Sequence, residues 1–301
     1  MYTKPEYKSA YANYLFSLGS DNNVQRFPDG QETINNNTLL STIDIQRFIN
    51  ECKTGDVNEV ILKVNFHDLS GSVSAYQMIT AAGIDIPWIE SSNEPYMGKN
   101  IAWDWDNNMV LVNRAKWRFL WWKIFDNNKY FKLLAQRYAQ RTNDVVKYFF
   151  EQIQIDVSQK ISLAMPFPKS NTHKYKVFYI EVLRWVNDFG CITYHCYGNP
   201  DDRGEFNKEK EAVATYHPLG KAKMFSEWAP IHWGLNGNTD HTEHFMKPLQ
   251  KEMEEERLVW FEDIGATHAL KHKGIGFDQN RLFSEFCFVE SQGDYIIRKL
   301  T

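Results

Sequence analysis

Cysteine is scarce in this chain. Its 301 residues include four cysteines, and none forms a Cys-x-x-Cys motif: Cys52, Cys191, Cys196 and Cys287. A disulfide framework needs dense, regularly spaced cysteines. We therefore expect reduced, buried thiols.

Long apolar runs are also missing. Residues 1–7 contain no hydrophobic segment of the kind that secretion signals carry, and no run approaches the ~20 residues that span a bilayer. These features favour a cytoplasmic protein without membrane contact, although secretion by another route stays open.

A basic excess is absent as well. The chain has 34 Lys and Arg against 38 Asp and Glu, which gives a formal net charge of −4. Nucleic-acid binding depends on cations that neutralise phosphates. The charge balance therefore argues against nucleic acid as the main partner.

Aromatic residues, by contrast, are plentiful. They form 15% of the chain, with ten Trp and fifteen Tyr, and 43% of all residues are hydrophobic. This is enough for one large domain with a sizeable core, and we see no linker that would divide residues 1–301. Many of these rings belong to the core, but aromatic faces also suit the C–H groups of sugars.

Strand-like and helix-like segments alternate along most of the chain. Periodicity and turn residues predict helices over 6–19, 42–54, 73–82, 130–153, 175–189 and 245–261. They predict strands over 23–30, 59–66, 87–94, 160–166, 191–198, 222–230 and 267–271. Most strand ends follow one another at close to the ~31 residues of one unit of a (β/α)₈ barrel.

This spacing predicts an α/β fold of the (β/α)₈ TIM-type barrel class. One long interval holds an aromatic-rich insertion and a helix, residues 98–150. A doubly wound sheet is the alternative, but no glycine-rich phosphate loop supports it.

Two of the predicted strands end in a glutamate. Residues 87–96 run from an apolar stretch into Asn93-Glu94 and then Pro95, and residues 222–230 repeat the design with Glu227. Glycoside hydrolysis uses two carboxyl groups, one as acid/base and one as nucleophile or base. The pair therefore indicates a glycosidase more strongly than either residue does alone.

Short motifs around these glutamates resemble the clan A glycoside hydrolases, which are retaining (β/α)₈ enzymes. The motifs are Ser92-Asn93-Glu94-Pro95, Tyr194-His195-Cys196-Tyr197 and Phe225-Ser226-Glu227-Trp228. Arg26-Phe27-Pro28-Asp29-Gly30 and Asn65 are similar to the branch of heparanase-like β-glucuronidases, β-xylosidases and agarases. The resemblance extends from about residue 6 to 300, in correct order.

The resemblance implies roles for individual residues. Glu94 would be the acid/base and Glu227 the nucleophile. Asn93 would bind the sugar 2-hydroxyl, Tyr197 could donate to Glu227, and His195 would line the same mouth. The substrate-binding set it implies is Asn93, His195, Tyr197, Arg26, Asn65 and Trp228.

Four of these residues have a structural alternative. His195 and Tyr197 could be an aromatic pair packed on a strand. Arg26 could clamp substrate or form an ion pair beneath the site, and Trp228 could stack on a sugar or pack in the core. His241 and His244 have metal-like spacing without an evident third ligand, so we expect no metal. The sequence also departs from the family, because Asp29 replaces a usual glycine and residues 267–272 contain no tryptophan.

The expected function is retaining hydrolysis of a β-linked oligo- or polysaccharide, without metal or organic cofactor. The alternative is a catalytically silent barrel that binds carbohydrate or serves as a structural module in an assembly.

Both ends of the chain depart from a full barrel. Only five residues precede the helix predicted over 6–19, and residues 283–301 favour a hairpin where the family has its last helix. We therefore expect the strand at 295–300 or another chain, as in a homo-oligomer, to cover the barrel seam.

Overall fold

A computed structural model describes part of the chain in detail. The described residues are 9–11, 24–26, 32–34, 45–46, 49–50, 53, 59–64, 66, 69–91, 95–97, 127–169, 172–197, 203–229, 256–257, 259–272 and 295–299. Every structural statement below concerns these ranges.

The centre of the fold is one sheet of eight strands. Its strands are β1 Ser9–Tyr11, β4 Glu59–Val64, β5 Ile89–Ser91, β6 Ile161–Met165, β7 Cys191–Tyr197, β8 Ala222–Ala229, β9 Ala266–His272 and β10 Tyr295–Lys299, in that spatial order. Neighbours from β1 to β9 run parallel. β10 pairs antiparallel with β9. A separate two-stranded sheet contains β2 Val24–Arg26 and β3 Glu32–Ile34.

Four helices connect the parallel strands. They are α1 Leu69–Ala81, α2 Asn127–Ile153, α3 His173–Trp185 and α4 Arg203–Tyr216. Short 3₁₀ turns cover Pro95–Met97 and Ser158–Lys160. Residues 45–46, 49–50, 53, 256–257 and 259–263 are also helical. Where they are described, the helices predicted over 42–54, 73–82, 130–153 and 245–261 are confirmed. The strand predictions for 59–66, 160–166, 191–198, 222–230 and 267–271 are confirmed there too, and α3 ends four residues before its predicted end at 189.

The helices pack against one face of the sheet through a large apolar core. On α1, Val73, Tyr76 and Ile79 are buried at helical spacing and belong to that core. The ring of Tyr76 meets Phe149 of α2 edge-on, with 5.5 Å between their centroids. Alternate side chains of each strand therefore point toward the helices. The remaining alternate residues face the other side, which becomes the concave interior.

The sheet is strongly curled. Glu59 begins β4 and His268 lies on β9, five strand spacings away, which would be about 24 Å in a flat sheet. Their side chains are nevertheless 3.3 Å apart, from Oε2 to Nε2. Trp88, just before β5, likewise donates through Nε1 to Thr267 Oγ1 at 3.1 Å. The six strands from β4 to β9 therefore form a parallel half-barrel with a filled interior.

The predicted TIM-type barrel is wrong. A (β/α)₈ barrel closes eight parallel strands, whereas the eighth strand here, β10, is antiparallel. The edge strands β1 and β10 bring Cα atoms within 8 Å of each other. Among the described residues, however, no pairing joins them. The architecture is an open, curled α/β sheet.

Two predictions near the amino terminus are also wrong. Ser9–Tyr11 falls inside the helix predicted over 6–19, but it is a strand paired with β4. The segment carrying Arg26 is a strand as predicted, yet it belongs to the separate hairpin with β3 rather than to the main sheet. A Pro-Asp-Gly sequence between β2 and β3 favours this local pairing, which satisfies the backbone of β2 without a barrel.

At the carboxyl end, β10 confirms the strand predicted over 295–300, while the other residues of the hairpin predicted over 283–301 lie outside the described residues. The Trp-rich part of the insertion, residues 98–126, lies outside them as well. None of the described helices has the length and apolar character needed to cross a bilayer.

Candidate functional site

Three of the predicted site residues lie outside the described residues: Asn65, Asn93 and Glu94. For Arg26, Tyr197, Glu227 and Trp228 the described structure covers the backbone only. His195 is described in full. The site is therefore built from the strands that lead to these residues and from the interior beneath them.

The strand that leads to Asn93 and Glu94 is anchored by a tyrosine of α2. The hydroxyl of Tyr138 donates to the carbonyl of Ser91 at 2.7 Å and accepts from the amide of Ala164 at 2.8 Å. Ser91 Oγ also lies 2.7 Å from the same hydroxyl. The last residue pair of the β5–β6 ladder is Ser91 with Leu163, so Tyr138 bridges the two strands where their pairing ends. This bridge holds the end of β5 against β6.

The strand that carries Glu227 is aligned with β7 through an irregular register. Thr193 pairs with Met224, but the next pair is His195 with Glu227, so β8 gains one residue. The amide of Ser226 donates to Thr193 Oγ1 at 3.1 Å, which stabilises the bulge. The shift places the backbone of Glu227 beside His195. Tyr197 and Trp228 occupy the following positions, paired with Ala229 and Cys196.

Beneath this level the interior contains charged side chains that the sequence prediction missed. Glu90 and Lys63 are register partners on β5 and β4, and both are fully buried. Glu90 Oε1 lies 3.8 Å from Nε2 of His195, which is also buried. The sequence contains a signal for these buried charges. Glu59, Ile61 and Lys63 occupy alternate positions and so share one face of an otherwise apolar strand. Glu90 likewise lies on the opposite face from its neighbours Ile89 and Ser91.

The floor of the interior is closed by a second Glu–His pair and an apolar plug. Glu59 and His268 form the contact across the half-barrel described above, with side chains 5% and 3% exposed. Ile61, Cys191 and Met224 pack together between the strands.

The buried thiol of Cys191 is not a nucleophile. Burial is the main reason why its pKa is raised to about 12, and the nearby Glu90 carboxylate acts in the same direction. A hydrogen bond with Ser162 and the charge of Lys223 act in the opposite direction but do not reverse the shift. A thiol in this state stays protonated and unreactive. Cys191 and Cys196 are both free and buried, which confirms the expectation for these two cysteines.

A second ionic cluster lies on the helix side, near the carboxyl ends of β6 and β7. Lys169 Nζ contacts Glu209 at 2.8 Å and Glu205 at 3.0 Å. Glu209 also accepts a hydrogen bond from the Cys196 thiol at 3.1 Å and lies 3.9 Å from Arg257. Burial alone lowers the pKa of Lys169, but the two glutamates outweigh it and the pKa is raised. The cluster ties the β6 and β7 ends to α4.

The described interior offers acid–base and hydrogen-bonding groups rather than a metal centre. No group of three or more His, Cys, Asp or Glu residues within the described ranges is arranged to hold a metal ion. His241 and His244 lie outside those ranges. What the interior does provide is the carboxylate of Glu90 in contact with His195, and His195 is the register partner of Glu227.

Comparisons with known proteins do not identify a family. A scan against protein-family models, a search of curated proteins and a search of solved structures each gave no match.

Proposed function

We propose that this chain is a retaining O-glycoside hydrolase acting on a β-linked oligo- or polysaccharide. The observation that supports the proposal is the order of the parallel strands. β5, which leads to Glu94, and β8, which carries Glu227, have only β6 and β7 between them in a curled sheet. Parallel strands end at the same edge, and the curl shortens the distance across it. Two carboxyl groups that start from these strands can therefore meet over one sugar.

In this proposal the reaction is a double displacement. Glu227 attacks the anomeric carbon while Glu94 protonates the leaving oxygen, and water then releases the sugar with Glu94 acting as base. Asn93 binds the 2-hydroxyl, a contact that strengthens in the transition state. The acid has to stay protonated and the nucleophile ionised, so their surroundings must differ. His195, beside Glu227 in the register, supplies one such difference.

The stereochemistry of the product tests the proposal. A panel of aryl β-glycosides is incubated with the full chain, and the first-formed sugar anomer is followed by proton NMR. We expect β-sugar to appear first and mutarotate later, with Glu227→Gln inactive on the same substrates. An α-sugar as first product would contradict the retaining mechanism. The absence of turnover for every panel member would contradict the proposal that the chain is a glycoside hydrolase.

The open sheet favours a second candidate, a catalytically silent module that binds carbohydrate. Within the part of the chain that the structure describes, the edges of the sheet are not paired, which departs from the closed barrel of the enzymes that the motifs resemble. Calorimetric titration with β-linked oligosaccharides separates the two. Binding without turnover in wild type, unchanged in Glu227→Gln, would favour the silent module.

A further inference from the structure

Glu90 is placed on the interior face by its neighbours. Ser91 is held by Tyr138 on the helix side, and Ile89 belongs to the core beneath the helices. Because side chains alternate along a strand, Glu90 faces the opposite way, into the interior. This direction accounts for its contact with His195 on β7.

Placing a carboxylate at a position with no solvent exposure is energetically unfavourable. Burying a charge is unfavourable unless partners compensate it, and a well-packed apolar side chain often serves stability as well or better. Glu90 has two cationic or protonatable neighbours, Lys63 as register partner and His195 at 3.8 Å. The position therefore holds an ionisable group that packing alone does not require.

His195, which contacts Glu90, is also the register partner of Glu227. His195 and Glu227 are paired across the β7–β8 bulge, and Thr193 fixes that bulge through the Ser226 amide. A charge placed against His195 therefore acts at the level of the proposed nucleophile. In an unliganded site such contacts are commonly longer than in the working complex.

We propose that Glu90 is a positioning residue: it holds the imidazole of His195 with Nε2 toward its carboxylate, and it favours the protonated ring. His195, so oriented, meets the substrate beside Glu227. The part of this inference that concerns the substrate rests on the proposed function, whereas the contact between Glu90 and His195 does not.

The chain contains a matched control for this contact. Glu59 and His268 form a second buried Glu–His pair in the same interior. Glu59 and Lys63 are four residues apart on β4, a separation of about 13 Å along the strand. Lys63 is the register partner of Glu90. The described ionisable side chains of the interior are otherwise few: Lys63, Cys191 and His268. Glu59→Gln removes the same charge without touching His195.

The test follows the ring of His195 by NMR in the full chain with labelled histidine, assigned with a His195→Gln variant. In Glu90→Gln we expect the pH midpoint of the His195 resonances to fall by about one unit, because an opposite charge within a few ångströms is lost. In Glu59→Gln it should move by less than about 0.2 units, since Glu59 contacts His268 rather than His195 and lies four residues along β4 from the register partner of Glu90. An unchanged midpoint in Glu90→Gln would overturn the inference.

A second variant keeps the test decisive if Glu90→Gln does not fold. Glu90→Asp retains the charge but withdraws it by one methylene, so the midpoint should lie below that of wild type, by less than about one unit. No difference between Glu90→Asp and wild type would then overturn the inference.

Kinetics separate this inference from the proposed function. On an aryl β-glycoside, kcat/KM should fall at least about tenfold in Glu90→Gln, mainly through kcat, because a misplaced group costs turnover more than binding. Glu59→Gln should stay within about threefold of wild type by the same reasoning. If wild type turns over no glycoside, the proposed function fails while the His195 titration still decides the role of Glu90. Equal kinetic losses in both variants would indicate a merely structural role for Glu90.

Discussion

At the scale of single residues, Glu227 and Glu94 do different work in the proposed reaction, and substitutions separate them. Glu227→Ala should abolish turnover of every substrate, because no other group forms the glycosyl intermediate. Glu94→Ala should retain activity on aryl glycosides with good leaving groups, which need little protonation. Steady-state rates on dinitrophenyl and unactivated β-glycosides measure the difference. Equal losses in both folded variants on the activated substrate would count against these roles.

His217 makes stability depend on pH. Its ring lies 3.0 Å from the Tyr194 hydroxyl through Nδ1, and its Nε2 lies 2.8 Å from the carbonyl of Lys221. Its pKa is lowered from 6.5 to about 4, mainly by burial; the Lys221 carbonyl partly opposes this shift and the charge of Lys223 adds to it. Between these values the unfolded chain binds a proton that the folded chain does not.

The free energy of unfolding should therefore decrease as the pH falls from about 6.5 to about 4. Urea denaturation at several pH values measures this, and His217→Gln is the matched variant. In His217→Gln the free energy of unfolding should depend less on pH within that window. Above the window its pH dependence should equal that of wild type. Parallel pH profiles for the two proteins would refute the assignment.

At the scale of secondary-structure elements, the buried carboxylate of Glu209 is one of the contacts that hold α4 in place. Glu209→Gln leaves Lys169 and Arg257 without their buried counter-charge, and Arg257 is only 1% exposed. We expect the free energy of unfolding to fall by about 3–5 kcal/mol. Glu205→Gln, one turn away and 32% exposed, should cost about 0–1 kcal/mol. Denaturant titration compares the two, and similar losses would show that burial does not govern this cluster.

The sequence predicts the elements with strong periodicity and fails where pairing is not local. β4 and α1 are recognisable because β-branched runs and helical spacing reflect their burial. Ser9–Tyr11 was predicted as helix because three residues carry too little pattern to reveal a partner 50 positions away. Arg26 was assigned to the main sheet because strand character alone does not say which strand is the neighbour.

The candidate site shows the same division. The strands leading to Glu94 and Glu227 could be predicted, since apolar runs ending in polar residues mark strand ends. The alternation along the strand marks Glu90, but the partners of Glu90 and His268 depend on how the sheet curls. Their contacts join residues 105 and 209 positions apart, His195 to Glu90 and His268 to Glu59, and no local pattern reports such distances.

At the scale of the whole molecule, the seam between β1 and β10 is the unusual feature. The two edge strands approach each other without pairing among the described residues, and unpaired edges invite further association. Self-association at this seam stays a prediction. Light scattering should give a mass of at least twice the 35.4 kDa of one chain. A monomer at all concentrations would contradict it.

The central claim is that Glu227 is the nucleophile of a retaining glycosidase, and trapping the intermediate tests it most directly. A 2-deoxy-2-fluoro β-glycoside with an activated leaving group slows the release of the covalent intermediate relative to its formation. The full chain is incubated with this reagent, digested and analysed by mass spectrometry. We predict one sugar per chain, attached to Glu227 and absent in Glu227→Gln. A label on another residue, or turnover of the parent glycoside without any label, would contradict the claim.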